Sequence, residues 1–265
     1  MVTEILPLGK ESLARAKALL LSGELVAFPT ETVYGLGADA RSDAAVENIY
    51  RVKGRPSDNP LIVHVHQDFD IASLVEDVQP YAARLRKAFL PGPLTLVYKS
   101  RGAVSAKVSC GLDTLAVRVP SHPCAQQFLR YVDIPVAAPS ANISKHVSPV
   151  SAQHVYDDLM GKIPLILEGG MSSGGIYSTV CDVTGEYPVV LRQGLVSREM
   201  IAEVAGRCDL YVPKTGEQVR SPGMKYKHYA PACRTFLFEA EEAVRALACY
   251  REHAEKAERV FVLCE

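Results

Sequence analysis

Short runs of consecutive apolar residues alternate with stretches of helical period from residue 10 to about 205, and this alternation constrains the fold more than any other feature. LVAF (25–28), LIVHVH (61–66), PLTLVY (93–98), TLAVRV (114–119), VAAP (136–139), LILE (165–168), STVCDV (178–183) and VVLR (189–192) are too short for helices and predict buried strands. Between them, Leu13, Ala16, Leu19 and Leu20 share one face of a helix that stops at Ser22-Gly23. DAAVENIYRVK (43–53) predicts a helix with Asp43 as N-cap, and two helical stretches follow up to about residue 89. HPCAQQFLRYV predicts a helix opened by Pro123, with further helices over 151–160 and 197–205. Strands and helices mixed in one continuous block predict an α/β sheet layered with helices.

Beyond residue 206 the texture changes. Residues 214–234 hold five basic residues and one acid, with Pro222, Gly223 and Pro231 and little periodicity, so 207–231 reads as a linker or ordered arm. RTFLFE, an acidic helix over 239–257 and RVFVLC then predict a βαβ opening that stops, which makes 232–265 an incomplete second domain after a catalytic domain over 1–206. No stretch of 18 apolar residues predicts a membrane helix, and the amino terminus lacks the pattern of a signal peptide. The seven cysteines are odd in number and never spaced C-x-x-C, which predicts buried thiols in a reducing cytoplasm. With 29 basic and 30 acidic residues the chain is no globally basic nucleic-acid coat, although a local basic cleft is compatible with that balance.

The candidate chemistry gathers at strand ends. FPTETVYGLGADA (28–40) sets Thr30, Thr32 and Tyr34 beside Gly35 and Gly37, although alone it reads equally as a turn after a strand. Lys53 and Arg55 precede a Pro-rich turn in KGRPSDNPL, where a point charge and a guanidinium fork suit phosphate oxygens. His64 and His66 lie at i and i+2, so a His-x-His metal pair competes with a substrate role for one of them. Without a third ligand nearby, the substrate role is preferred. Arg118 ends an apolar strand and must find an anion or a carbonyl network. Ser140, Asn142, Ser144 and Ser148 occupy APSANISKHVSP, GGMSSGGIYST (169–179) is a bend able to cradle an anion, and Arg192 closes VVLR. There is no phosphate loop of the G-x-x-x-x-G-K type, no G-x-G-x-x-G, no G-x-S-x-G and no H-E-x-x-H. Cations, hydroxyls and glycines with few carboxylates point to a polyanion and a small polar molecule, a nucleotide or RNA phosphate site on an α/β sheet.

FPTETVYGLG, KGRPSDNPL, FLPGPLTLV, LAVRVPSHP, APSANIS and VLRQG, in this order, resemble the YrdC-type threonylcarbamoyl-AMP synthases, with SPGMKYKHYAP resembling the linker of the longer, two-domain members. The resemblance implies a twisted mixed sheet with a basic concave face, followed by a linker and the start of a Rossmann-like domain. It implies synthesis of threonylcarbamoyl-adenylate from L-threonine, bicarbonate and ATP, with magnesium, for threonylcarbamoyladenosine in tRNA. A downstream transferase would take the product, and weak tRNA binding is expected. Lys53, Arg55, Ser140 and Asn142 match the signature quartet, with Lys53 and Arg55 as the catalytic cations. By the same resemblance Arg55, Asn59, Thr114, Ser140, Asn142, Ser148 and Arg192 bind ATP, covered by Tyr229 or by Tyr226. Thr32, His64, Arg118, Ala138 through its backbone and Ser178 hold threonine, with no protein metal site. Leu90, Lys145, Tyr177 and Gln193 depart from the usual Trp, Gly, Glu and Pro of the family. Two rivals stay open on the residues alone. One is an RNA-binding module using the same cleft without catalysis, against which the Ser and Asn of the quartet argue. The other is the carbamoyl-adenylating domain of hydrogenase maturation proteins, against which the missing C-x-x-C pairs argue.

Overall fold

The computed structural model describes residues 1–76, 79–212, 236 and 238–256. In chain order these form β1 (Glu4–Pro7), α1 (Lys10–Leu21), β2 (Val26–Phe28), β3 (Gly35–Asp39), α2 (Asp43–Lys53), β4 (Ile62–His64), β5 (Val75–Glu76) and α3 (Pro80–Phe89). They continue with β6 (Leu94–Ser100), α4 (Ala106–Ser109), β7 (Thr114–Arg118), α5 (Pro123–Val132), β8 (Val136–Ala137), α6 (Ala152–Leu159) and β9 (Leu165–Glu168). The last are β10 (Thr179–Asp182), β11 (Val189–Arg192), α7 (Arg198–Ala205), β12 (Asp209–Leu210) and α8 (Ala243–Glu255). The chain divides into two compact units, Met1–Ala230 and Pro231–Glu265.

In the first unit the described strands join in one sheet ordered β1-β9-β2-β3-β8-β4-β7-β6-β10-β11-β12, with β5 paired to β6. Parallel pairs (β1 with β9, β4 with β7, β6 with β10) adjoin antiparallel ones (β2 with β3, β4 with β8, β6 with β7), so the sheet is mixed. Alternation along the strands sorts side chains between its faces. Leu25, Ala27, Val63, Leu96, Val117, Ile166 and Cys181 enter the main core with α2, α3 and α6. Their neighbours Val26, Phe28, Leu165 and Leu167 face the other way, under Leu13, Ala16 and Leu20 of α1 and Phe128 and Leu129 of α5. Farther along that second face, Ile62, Val97, Ala116, Val180 and Leu191 form a small cluster that contains no helical residue. With no described helix in this cluster, strand side chains beside it can line a cleft.

Several local expectations change. Ser42, not Asp43, caps α2: its Oγ accepts from Ala45 N at 3.3 Å, while Asp43 is the first helical residue and accepts from the Ser105 hydroxyl. The first of the two helical stretches after residue 66 is only a 3-10 turn, Ile71–Ser73, capped by Asp70. β3 replaces a turn: GLGAD has little strand propensity, but β2 and β8 pair with it on both edges. At Gly37 a Cβ would lie 2.9 Å from Val136 Cγ1 and 3.1 Å from the Phe28 ring, so glycine is what allows this close approach. Of the described cysteines only Cys181 and Cys208 are buried; Cys110 and Cys124, at helix ends, and Cys249, inside α8, are half-buried. In the second unit, α8 and the preceding 3-10 turn Ala240–Glu242 occupy the expected helix. The expected strand over 259–264 lies outside the described residues, as do three of the six residues over 234–239; Phe236, Phe238 and Glu239 are described and are not in a strand. No described helix is long and apolar enough to cross a membrane.

Candidate active site

Strand register builds the first half of the site. His64 of β4 stands opposite Arg118 of β7, Arg118 opposite Thr95 of β6, Thr95 opposite Val180 of β10, and Val180 opposite Arg192 of β11. This row crosses the face that carries the small helix-free cluster, so residues far apart in sequence project to one side of the sheet.

Arg118 is 4% exposed and meets its anion inside the protein. Its Nη2 donates to Glu31 Oε1 at 2.7 Å, Nη1 to Thr32 Oγ1 at 2.9 Å and Nε to Gly92 O at 3.4 Å. Three of the five guanidinium N–H groups are thereby engaged, and two remain for a second carboxylate. Glu31 is itself held by Ser121 N on Oε2 at 3.1 Å. Thr30 donates its hydroxyl to Val33 O at 2.6 Å, so in its 2.9 Å contact with Thr32 it accepts the Thr32 proton. Thr32 Oγ1 therefore faces a ligand as an acceptor.

His64 lies against the edge of Phe28, ring centroids 6.0 Å apart. Burial, and then the charge of Arg118, push its pKa down to about 3, so it is neutral near pH 7. Its Nδ1 lies 3.1 Å from Ile62 O, which can only accept, so Nδ1 carries the proton and Nε2 offers a lone pair. Ser178 Oγ is 2.8 Å from Thr95 Oγ1, and Ala138 donates its N–H to Ile62 O at 2.9 Å, which leaves its carbonyl as the group a ligand could use.

Loops build the second half. Lys53, at the carboxyl end of α2, is 2% exposed and donates through Nζ to Ser140 O and Asn142 O, while its own carbonyl accepts from Ser144 N at 2.9 Å. Burial, with Arg55 nearby, lowers the ammonium pKa well below its usual value, against the opposing pull of Asp158. Two of the three ammonium donors of Lys53 point at backbone carbonyls, a clasp that shapes the loop carrying Ser140 and Asn142. Arg55 is the half-buried partner of the pair: Nη2 reaches Pro60 O at 3.0 Å and Nε reaches Asn59 O at 3.3 Å. Asn142 donates Nδ2 to Ile143 O (2.7 Å) and His146 O (2.9 Å). The Oδ1 atoms of Asn142 and Asn59 are buried without a hydrogen-bond partner. Such orphaned acceptors favour a ligand that brings donors.

Two clefts result. The first is lined by Thr32, His64, Arg118, Ala138, Ser178 and Arg192, and the second by Lys53, Asn59, Asn142 and Lys145. Arg55, Ser140 and Tyr177 line both. All five expected threonine contacts therefore fall in one cleft. Ser148 stands beside them, its hydroxyl donating to the Tyr177 phenol at 2.7 Å. Thr114 lines neither cleft: it starts β7, four residues and about 13 Å along the strand from Arg118. Tyr226 and Tyr229 lie outside the described residues. His66 pairs with Asp133 at 3.1 Å, apart from the first cleft, and no described cluster of three His, Cys, Asp or Glu could hold a metal. Sequence reasoning passed over Glu31 and Thr95. A carboxylate three residues after Phe28 and a threonine inside an apolar strand were the available signals, and only the pairing of β6 with β7 joins Thr95 to Arg118.

Comparison with known proteins places the chain in a family. A family model for Sua5, YciO and YrdC, described as telomere recombination, matches residues 18–194, and one described as the C-terminal domain of threonylcarbamoyl-AMP synthase matches 196–265. The chain is 43% identical to a Bacillus subtilis threonylcarbamoyl-AMP synthase over 99% of its own length and 76% of that protein. It is 45% identical to the Pyrococcus abyssi threonylcarbamoyl-AMP synthase over 84% of this chain and 67% of that one. The crystal structure of Pyrococcus abyssi Sua5 complexed with L-threonine superposes with a TM-score of 0.88 at 40% identity, covering 96% of this chain and 78% of that one. With both domain models matched and these relatives spanning most of its length, the chain belongs to the Sua5/YrdC family of threonylcarbamoyl-AMP synthases.

Proposed function

We propose that the two clefts together make L-threonylcarbamoyl-AMP and pyrophosphate from L-threonine, bicarbonate and ATP. The observation that carries the reading is the shared wall. Arg55, Ser140 and Tyr177 border both clefts, so a group formed on threonine in one lies against a phosphate in the other.

L-Threonine suits the first cleft by hydrogen-bond polarity. Its carboxylate takes the two remaining N–H groups of Arg118, and its hydroxyl donates to His64 Nε2. The amine donates to the Ala138 carbonyl or to Thr32 Oγ1. Because His64 is neutral and a poor base, it reads the hydroxyl and does not remove a proton. The amine nitrogen attacks bicarbonate carbon to give a carbamate, releasing water. A carbamate oxygen then attacks the α-phosphorus of ATP, and the bond to the β-phosphate oxygen breaks to release pyrophosphate. The protein contributes alignment and charge neutralisation rather than covalent chemistry. Arg55 and Arg192 act on the phosphates, while Lys53 works through the Ser140–Asn142 backbone it clasps. Magnesium enters with ATP as part of the substrate, the orphaned Asn59 and Asn142 oxygens being able to accept from its water ligands. Ser148 and Tyr229 complete the nucleotide side in this reading. The product passes to a cytoplasmic transferase acting on tRNA, and tRNA binding by this chain is weak.

Pyrophosphate release, measured with threonine and bicarbonate omitted in turn, tests the reading. Release is expected to need both, and to fall by about 10⁴-fold in kcat/KM when valine replaces threonine, since valine leaves the hydroxyl partners unpaired. Release that ignores the omission of threonine would overturn it.

A further inference from the structure

Tyr177 stands on the wall between the clefts, in a loop with no regular structure, and three of its contacts bear on one question. Its phenol oxygen accepts from Ser148 Oγ at 2.7 Å and lies 3.3 Å from Ser140 Oγ. Its ring lies under the Arg192 guanidinium, 4.8 Å from carbon to centroid. Arg192 is anchored from elsewhere as well, donating through Nη2 to Ser178 O at 2.9 Å. One side chain thus engages two hydroxyls and one cation, all three in the set that faces the nucleotide.

We propose that Tyr177 is a displaceable plug of the nucleotide side: its hydroxyl occupies the place a phosphate oxygen of ATP takes on Ser148 and Ser140, so ATP binds by displacing it. The inference rests on the reading that ATP uses these serines. Two oxygens cannot both sit 2.7 Å from Ser148 Oγ along its single O–H direction, so the phenol and the phosphate compete for that proton. The displacement is a side-chain rotation. The backbone here is pinned: a Cβ on Gly194 would fall 2.4 Å from Tyr177 O and 2.5 Å from Thr179 N, so the two segments run in contact and cannot part without disturbing β10. Arg192, anchored on Ser178, keeps its position while the ring above it turns.

The competition predicts a variant that binds better. Tyr177→Phe keeps the ring over Arg192 and removes only the hydroxyl. Calorimetric titration of the full chain with ATP should give a Kd about five-fold lower than wild type, or about 1 kcal/mol, the net worth of one neutral hydrogen bond. Titration with L-threonine should change by less than two-fold. Ser148→Ala should weaken ATP binding more in the Tyr177→Phe background than alone, since only there does it remove a ligand contact without also releasing a competitor. Unchanged or weaker ATP binding in Tyr177→Phe, with wild type binding normally, overturns the plug and leaves the nucleotide reading standing. A wild-type chain that does not bind ATP overturns the nucleotide reading of this cleft and the plug with it.

Discussion

On the Arg118 side, the functional groups project from strands or strand ends, and each side chain is already held by at least one protein partner before a ligand arrives: Arg118 by Glu31 and Thr32, Thr32 by Thr30, His64 by Ile62, Ser178 by Thr95. On the Lys53 side they project from loops, and the matching is incomplete, with Asn59 and Asn142 left holding buried acceptors. The difference follows from how each backbone is fixed. A sheet places side chains in rows through register alone. A loop has no register, so something must tie it, and here a buried lysine does so by bridging two carbonyls. The rigid side suits a small substrate recognised by every polar atom. The looser side suits a large, flexible nucleotide whose arrival completes the network.

Substitutions should separate the two sides. The largest effect is expected from Glu31→Ala, which strands a buried guanidinium. About 3 kcal/mol of unfolding free energy should be lost in a urea melt, with threonine affinity lost alongside. Stability near wild type would mean that the sheet side is not held by this ion pair.

A smaller effect should come from acid. His64 keeps a pKa of about 3 when folded against about 6.5 when unfolded, so below pH 6.5 the unfolded chain binds a proton that the folded chain refuses. The contribution of this group is therefore constant above about pH 6.5 and falls by up to about 1.4 kcal/mol per pH unit below it, a loss of about 2 kcal/mol by pH 5. Melts of wild type and His64→Gln between pH 5 and 8 check this, since the variant should lack that share of the slope.

The smallest effect is expected from Lys53→Met. Relief of the buried charge offsets the two lost hydrogen bonds, so stability should stay within about 1 kcal/mol of wild type. The loosened loop should raise the ATP Kd about five-fold, or about 1 kcal/mol, and leave threonine binding unchanged. An equal loss for both ligands would erase the distinction between the clefts.

The strands that could be read from sequence are those whose apolar runs are buried, β2, β4, β6, β7 and β9 among them, because burial of such runs is a property of the residues. β1, β3, β5 and β12 escaped, being two to five residues long or glycine-bearing, and they exist because a partner strand offers its edge. The same division runs through the site. Arg118 was legible because an arginine ending an apolar strand needs an anion; that the anion is Glu31 was not. Tyr177 was legible only as a departure from the expected glutamate, and its reach to Ser140, Ser148 and Arg192 depends on three separate segments meeting.

The sequence by itself determined the α/β class, the strand-end clustering of cations and hydroxyls, and the kinship those motifs carry, since each is written in local residue types and their spacing. Only the tertiary structure decided that Lys53 shapes a loop, that His64 offers a lone pair, that Arg118 already holds a carboxylate, and that one tyrosine borders both clefts. The roles of Lys53, Arg118 and Tyr177 depend on partners distant in sequence, and that of His64 on its burial and on its ring turning back to Ile62; free energies of desolvation and hydrogen bonding are set by such neighbours, not by the chain's local pattern.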